Sequence, residues 1–441
     1  MLAQIDVDFR TQIINDYQGV SECKICDKPE YLARIREVAF NFFQKNGFPT
    51  QKNEEWKYTP VKPYINEPFD IDKDKSQTFD PSQANYFGQH LPGYKIVLIN
   101  GKLSVEHSQI PDAALCTIQP VMDVLRKPEV QERLTKSRNY RNNPFLAMNT
   151  ALFTRGVFIH IPKNTQVDKP IHLIHYEVGE GKQFNISKNI IISESGSEAE
   201  IIESYYHDYN DAVSFRNSST EILVEPNAVL DHIKLQKSDH NLRMVEHTEV
   251  EQKEDSLYNN YTFTLPGMRF VRNNLNIELD GSNIESHMYG LYLTNEDQLV
   301  DNHTLVNHKE PNCESNQLYK GILTDKSRAV FNGKVYVHSI AQKTNAFQQN
   351  NNILFSDNAT IYTKPQLEIF ADDVKCSHGS TIGQLDDEAL FYLRARGLSK
   401  TDAQSLLVNA FAFDVTEKLR DEEIKAMLNE EIDQVMSGVI S

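Results

Sequence analysis

Ser197-Glu198-Ala199, Asn227-Ala228-Val229 and Asp255-Ser256-Leu257 begin the series that decides the fold. Each is a polar turn running into an alternating, strand-like segment. The series continues through Ser282-Asn283-Ile284, Asp297-Gln298-Leu299, Ser327-Arg328-Ala329 and Asn358-Ala359-Thr360. The third residues of these triplets lie 30, 28, 27, 15, 30 and 31 residues apart. A unit of about 30 residues with one half-step suits a solenoid whose coil has two similar sides. The spacing therefore predicts a parallel β-helix. On pattern alone a sandwich or jelly roll stays open, because turns recur regularly there too.

The texture on either side differs. From about residue 155 to 383, short alternating or apolar runs replace helical periodicity, as in Val157 to Ile161, Glu221 to Val224, Asn276 to Leu279 and Lys334 to Val337. Upstream, Leu32, Ile35, Ala39 and Phe42/Phe43 fall on one helical face, and Gly47-Phe48-Pro49 stops that helix. Residues 61–92 read as loop. Asn100-Gly101 marks a hairpin between short strands, and 143–153 reads as helix. Downstream, Asp386-Asp387-Glu388 starts a helix that Gly397 stops, and Ser399 with Asp402 starts a second. The apolar set of the second is Leu406, Leu407, Ala410, Phe411 and Phe413; a last amphipathic helix runs through Ile424, Met427, Leu428 and Ile432. The expected division is an N-terminal helical and mixed part (1–150), a β-helix core (151–383) and a C-terminal helical part (384–441).

Composition narrows the function classes. The chain has 441 residues, 39% hydrophobic, so it can bury a core. A net charge of −17 argues against a broad nucleic-acid footprint and against binding to anionic membranes. No apolar run approaches the roughly 20 residues of a membrane span. Met1-Leu2-Ala3-Gln4-Ile5-Asp6 does not read as a secretory signal. Five cysteines, an odd and sparse set, fit free thiols in a reducing cytoplasm.

Most motif-like features carry no chemistry. Gly179-Glu180-Gly181-Lys182 fails the phosphate-loop spacing and is followed by Gln183, so any ATP must be bound by another chain. Cys23-Lys24-Ile25-Cys26 lacks a second ligand pair for zinc and a thioredoxin-like context for redox work; it reads as incidental. Cys116 and Cys313 read as ordinary thiols. His172 and His175 fall on opposite faces of a strand, and His303 and His308 do not share one, so these read as structural. Cys376-Ser377-His378-Gly379 differs. In an extended chain Cys376 and His378 point to one face, and a thiolate with an imidazole suits iron or zinc. Asp372 and Asp373 lie just upstream. Two donors are not a complete site; a cluster usually takes four, so the rest would come from another chain or stay open. A buried Cys with a hydrogen-bonded His at the end of a solenoid is the competing reading.

The run Lys364-Pro365-Gln366-Leu367-Glu368-Ile369-Phe370-Ala371-Asp372-Asp373-Val374-Lys375-Cys376-Ser377-His378-Gly379-Ser380-Thr381-Ile382-Gly383, continued by Phe391-Tyr392-Leu393-Arg394-Ala395-Arg396-Gly397, closely resembles the C-terminal signature of the SufB/SufD family. Arg155-Gly156-Val157-Phe158-Ile159-His160-Ile161-Pro162-Lys163 resembles that family's entry into its β-helix. Glu54-Glu55-Trp56-Lys57-Tyr58-Thr59 and the Ser377-His378-Gly379 wording resemble the SufD branch more than the SufB branch. The resemblance implies a right-handed parallel β-helix flanked by helical regions, mainly β overall. It implies a non-catalytic scaffold subunit of the cytoplasmic SUF iron–sulfur cluster assembly system. The partners implied are a SufB-like paralogue, paired through the β-helices, and a SufC-like ATPase docked on the C-terminal helices, where Leu406, Leu407, Phe411 and Phe413 are the expected contacts. His378 and Cys376 match the family's interface pair and are the expected metal-site candidates; the key cluster-bearing cysteine belongs to SufB. The cofactor implied is a transient cluster shared with SufB, with none held tightly by this chain alone. Reduced flavin has been associated with the family complex, but the sequence shows no flavin motif. Two rival readings stand: a β-helix polysaccharide enzyme, which would need a secretory signal and an acid cluster, and a self-standing homodimeric metal-binding β-helix protein.

Overall fold

The computed structural model describes residues 8–22, 29–66, 69–71, 79–137, 139–207 and 212–440. Cys23 and Cys26 lie outside the described residues. From Val157–Ile161 to Lys375–Gly383 the strands alternate between two sheets, each ten-stranded, and every neighbouring pair in this series is parallel. The first sheet holds Val157–Ile161, Lys182–Ser193, Val213–Val224, Leu242–Gln252, Phe270–Leu279, Leu299–His308, Arg328–Val337 and Thr360–Ile369. The second holds the strands between these, from Ile171–Glu177 to Lys375–Gly383. The chain is a two-sided parallel β-solenoid, not a sandwich. The half-step of 15 residues is the place where the turn series passes from corners that feed the second sheet (Ile284 before Glu285–Thr294) to corners that feed the first (Leu299).

One row of corners shows why polar turn residues recur. Asn164, Gly196, Asn227, Asp255, Asn283, Asn312 and Lys343 all have φ between 56° and 70°, the left-handed region. Asn and Asp tolerate it better than other side-chain-bearing residues. Each backbone N–H donates to a carbonyl of the next coil. Asn227 donates to Glu254 at 3.1 Å, Asp255 to Ser282 at 3.0 Å, Asn283 to Pro311 at 3.4 Å, Asn312 to Gln342 at 2.9 Å and Lys343 to Asp373 at 2.6 Å.

Between the sheets the interior is apolar on one side and polar on the other. The apolar part includes Ile201, Ile222, Leu230, Val250, Ile277 and Val306. The polar part holds an ionic cluster: Arg216 with Glu177 (2.8 Å) and Glu246 (3.2 Å), Lys234 with Glu246 (2.9 Å), and His175 and His232 with Glu203 (2.7 Å each). All are buried. Nearby cations hold the Glu203 and Glu246 carboxyls below their usual range despite burial. Farther along, Tyr319 lies opposite Gly290 and Tyr292 opposite Gly321, each ring filling the space a side chain would take.

Helices cover both outer faces. Phe9–Glu22, Glu30–Asn46 and Pro144–Leu152 join Phe184, Phe215 and Phe270 of the first sheet in one apolar cluster. Lys400–Thr416 and Glu422–Ile440 bury Val408, Ala412, Ile424, Leu428 and Ile432 against Ile233, Leu235, Phe263 and Leu291 of the second sheet. The two ends of the solenoid differ. At the first end, Tyr94–Ile99 pairs with Ile171–Glu177 and turns at Asn100-Gly101 onto Lys102–Leu103, while Thr117–Pro120 runs antiparallel to Val157–Ile161. At the other end, Thr360–Ile369 and Lys375–Gly383 are the outermost strands of their sheets.

The corner row predicts two opposite stability effects. Lys343 is exposed and occupies a left-handed corner at φ 58°, so Lys343→Asn should stabilise by roughly 0.5–1 kcal/mol. Asn227, equally exposed at φ 59°, should lose about 1–2 kcal/mol on replacement by Val. Chemical denaturation of the two variants checks the signs.

Candidate functional site

The terminal strand Lys375–Gly383 pairs with Asn345–Leu354 so that Cys376 lies opposite Ala346, His378 opposite Gln348 and Ser380 opposite Asn350. Ala346, Gln348 and Asn350 are buried and face the interior. The register thus places Cys376 and His378 on one side, in line with the inward rows of the coils below. No coil lies above them, so both sit at the mouth of the solenoid. His378 is exposed; Cys376 is half-buried.

Their surroundings separate the two side chains. Cys376 packs on Val335, Val337, Ala341, Ala346 and Ala371. Burial pushes its thiol pKa above the ordinary value, so the neutral thiol is favoured. His378 continues a polar row: Gln348 donates to Gln317 at 2.6 Å, and Gln317 donates to the Thr304 hydroxyl. A cleft of about 630 Å³ beside the strand is lined by Phe347, Gln348, Ser377, His378, Thr381 and Lys418. Asp373 serves the fold: its carbonyl accepts the Lys343 corner bond, and its N–H donates to Gln342.

Among the described residues, the one group of three or more His, Cys, Asp or Glu side chains whose ligand atoms lie close enough together to hold a single metal ion is the exposed His240, Glu296 and Asp297, which includes neither Cys376 nor His378. The pair at the mouth is therefore an incomplete donor set. The other histidines singled out in the sequence belong to the fold. His172 and His175 are both buried on opposite faces, bonded to Ser204 and Glu203. Burial lowers His172 to about 3 and His308 to about 4, so both stay neutral. His303 faces outward and meets Glu55 at 3.2 Å. Cys116 and Cys313 are buried free thiols.

The mouth is bordered by unpaired strand edges and exposed apolar side chains, including Phe347, Tyr362, Ile369, Phe370 and Ile382. Beyond it, Asp387–Ala395 buries no side chain and exposes Phe391 and Tyr392. On the next helix, Leu406 and Phe413 are exposed and Leu407 is half-buried. Phe411 is turned toward the second sheet, where the Lys320 ammonium lies 4.4 Å from its ring centroid. The core-facing set of that helix is Ala403, Val408, Ala412 and Val415, not the bulkier apolar residues most prominent in the sequence.

The family profile described as "SUF system FeS cluster assembly, SufBD core domain" matches residues 176–411, and the one described as "SufBD protein N-terminal region" matches 8–173. The chain belongs to the SufB/SufD family. It is 33% identical to the iron–sulfur cluster assembly protein SufD of Escherichia coli, over 89% of this chain and 90% of that protein. It is 29% identical to an iron–sulfur cluster assembly SufBD family protein of Synechocystis, over 93% of both chains. It is 28% identical to the chloroplastic protein ABCI7 of Arabidopsis thaliana, over 89% of this chain and 84% of that one. The chain is a SufD homologue and a component of iron–sulfur cluster assembly. No helix among the described residues is long and apolar enough to cross a membrane.

The sequence pattern missed the interior ionic cluster. Its members are spread over five strands, and Arg216 meets Glu177 only because the coils stack.

The raised thiol pKa of Cys376 predicts slow alkylation at pH 7.5, below the rate of an unfolded cysteine peptide. The rate should climb as pH passes above 9, where the thiolate forms. Peptide-resolved mass spectrometry after timed iodoacetamide labelling checks this. Labelling as fast as in the unfolded chain would contradict the burial.

Proposed function

We propose that this chain is the SufD-type scaffold subunit of a SUF assembly complex. It pairs with a SufB-like paralogue through the open end of the solenoid and carries a SufC-like ATPase on its C-terminal helices. The observation that carries the reading is the contrast between the two ends. One is closed by antiparallel strands; the other presents two strand edges, of ten and nine residues, with exposed aromatic and aliphatic side chains around them. Free edges of this length are templates for pairing with another chain. A paralogue with the same solenoid can continue both sheets at once, and a second copy of this chain can do the same when it is purified alone.

In this reading Cys376 and His378 meet the partner's mouth, and the partner completes the donor set around a transient cluster. A thiol and an imidazole from one side suit iron in a site finished from the other. The cluster is cargo. ATP hydrolysis falls to the SufC-like partner, and this chain contributes surface, ligands and position. Leu406, Phe413, Phe391 and Tyr392 form the docking surface. Phe411 and the half-buried Leu407 support it from below.

Two experiments test the reading. Removing the last two helices would strip the apolar face of the second sheet, so point substitutions are the better probe. Leu406→Glu with Phe413→Glu should reduce co-purification of the ATPase at least tenfold and leave melting temperature within about 2 °C, because both side chains are exposed. Unchanged co-purification would refute that docking surface. His378→Ala should leave the complex folded and assembled while iron and sulfide recovered per complex, after anaerobic isolation, fall severalfold. Cys376→Ser should be milder. Cluster content that falls only in proportion to the folded complex would make His378 structural.

A further inference from the structure

Residues 54–59, Glu-Glu-Trp-Lys-Tyr-Thr, cross the outer face of the first sheet and touch four successive strands. Trp56 is buried, stacked on Phe145 with ring centroids 5.3 Å apart, and covered by the Arg272 guanidinium 3.7 Å from its ring centroid. Arg272 also donates to the Glu55 carbonyl at 2.8 Å and to Asp301 at 2.5 Å. The Thr59 hydroxyl donates to the same Asp301 carboxylate at 2.5 Å. These contacts anchor the segment to Phe270–Leu279 and Leu299–His308.

The outer side chains reach farther. The Glu55 carboxylate meets His303 and Asn332, each at 3.2 Å. The Glu54 carboxylate accepts from Lys364 at 2.6 Å, and Tyr58 lies flat on Tyr362, with centroids 4.1 Å apart and planes 10° apart. Lys364 and Tyr362 belong to Thr360–Ile369, the terminal strand of the first sheet. That strand has a ladder neighbour on one side only. Such a strand frays more readily than an inner one.

We propose that residues 54–59 are a latch that sets the pose of the terminal coil and thereby the strength of pairing at the open end. The anchor is the buried Trp56–Arg272–Asp301 group; the clasp is Glu54 and Tyr58 on Lys364 and Tyr362. A strand already held in the pairing pose loses less conformational freedom when a partner arrives, so it binds more tightly through the same contacts. The inference rests on the reading of the open end as a pairing surface.

The test uses the full chain with Glu54→Gln and Tyr58→Ala combined, which leaves Trp56, Arg272 and Asp301 untouched. Hydrogen exchange is followed at protein concentrations where the chain is monomeric. Pairing, with itself and with the SufB-like paralogue, is measured by sedimentation. The expected result is about tenfold faster exchange in Thr360–Ile369 and about five- to tenfold weaker pairing, with Val229–Gln236 unchanged. An aromatic stack and one exposed ion pair support a factor of that size. Unchanged exchange in the terminal strand overturns the latch; faster exchange with unaltered pairing overturns its role in pairing. If exchange rises throughout the double variant, the single Glu54→Gln decides. Its carboxylate is exposed, and it should speed terminal-strand exchange two- to threefold, no change counting against the latch. A wild-type chain that pairs with nothing overturns the pairing reading and this proposal together, and the wild-type arm alone identifies that case.

Discussion

Each coil of the solenoid must climb one strand spacing, about 4.8 Å, and reverse direction at a corner without leaving backbone groups unpaired. The row of left-handed corner residues meets both demands. A positive φ turns the chain sharply enough to bring its N–H under the next coil's carbonyl, and the hydrogen bond made there sets the rise. Repeated from Asn164 to Lys343, this keeps the two sheets in register over eight coils. The parallel ladders, the stacked interior and the site at the mouth all follow from that register.

Stacking also explains the interior charges. Strands on opposing sheets bring Glu177, Glu203 and Glu246 against Arg216, Lys234 and two histidines, away from water. Such clusters are poor sources of net stability, because desolvation offsets the attraction. They penalise any other register strongly, since a slip of one coil would leave a buried charge without a partner.

A repetitive fold has two ends, and this chain treats them differently. Antiparallel strands cap the first; the second is left with free edges, a half-buried thiol and an exposed imidazole. The chemistry at the mouth is that of one half of a site. His172, His175 and His308 are held by packing and hydrogen bonds, and burial keeps His172 and His308 neutral, whereas His378 is exposed on the last strand of its sheet. The segment at residues 54–59 ties the N-terminal region to the same end.

The sequence by itself determined a repeating β unit of about 30 residues, because the corner constraint is local: a turn residue able to adopt positive φ must recur once per coil, and its spacing is visible in one chain. That the coils stack in parallel and do not pair as a sandwich was decided by the tertiary structure. It also determined that Cys376 and His378 share a face, since the strand period of two is local as well. The C-terminal helices were legible through their caps, Asp386 and Ser399. Which side of the Lys400–Thr416 helix is buried was not. Val408, Ala412 and Val415 face the sheet, while Leu406 and Phe413 remain outside. The ionic interior, the Tyr319–Gly290 exchange and the bridge from residues 54–59 to Tyr362 also needed the tertiary structure. Each joins groups from different coils or from opposite ends of the chain, and no local periodicity records which coil will lie above which.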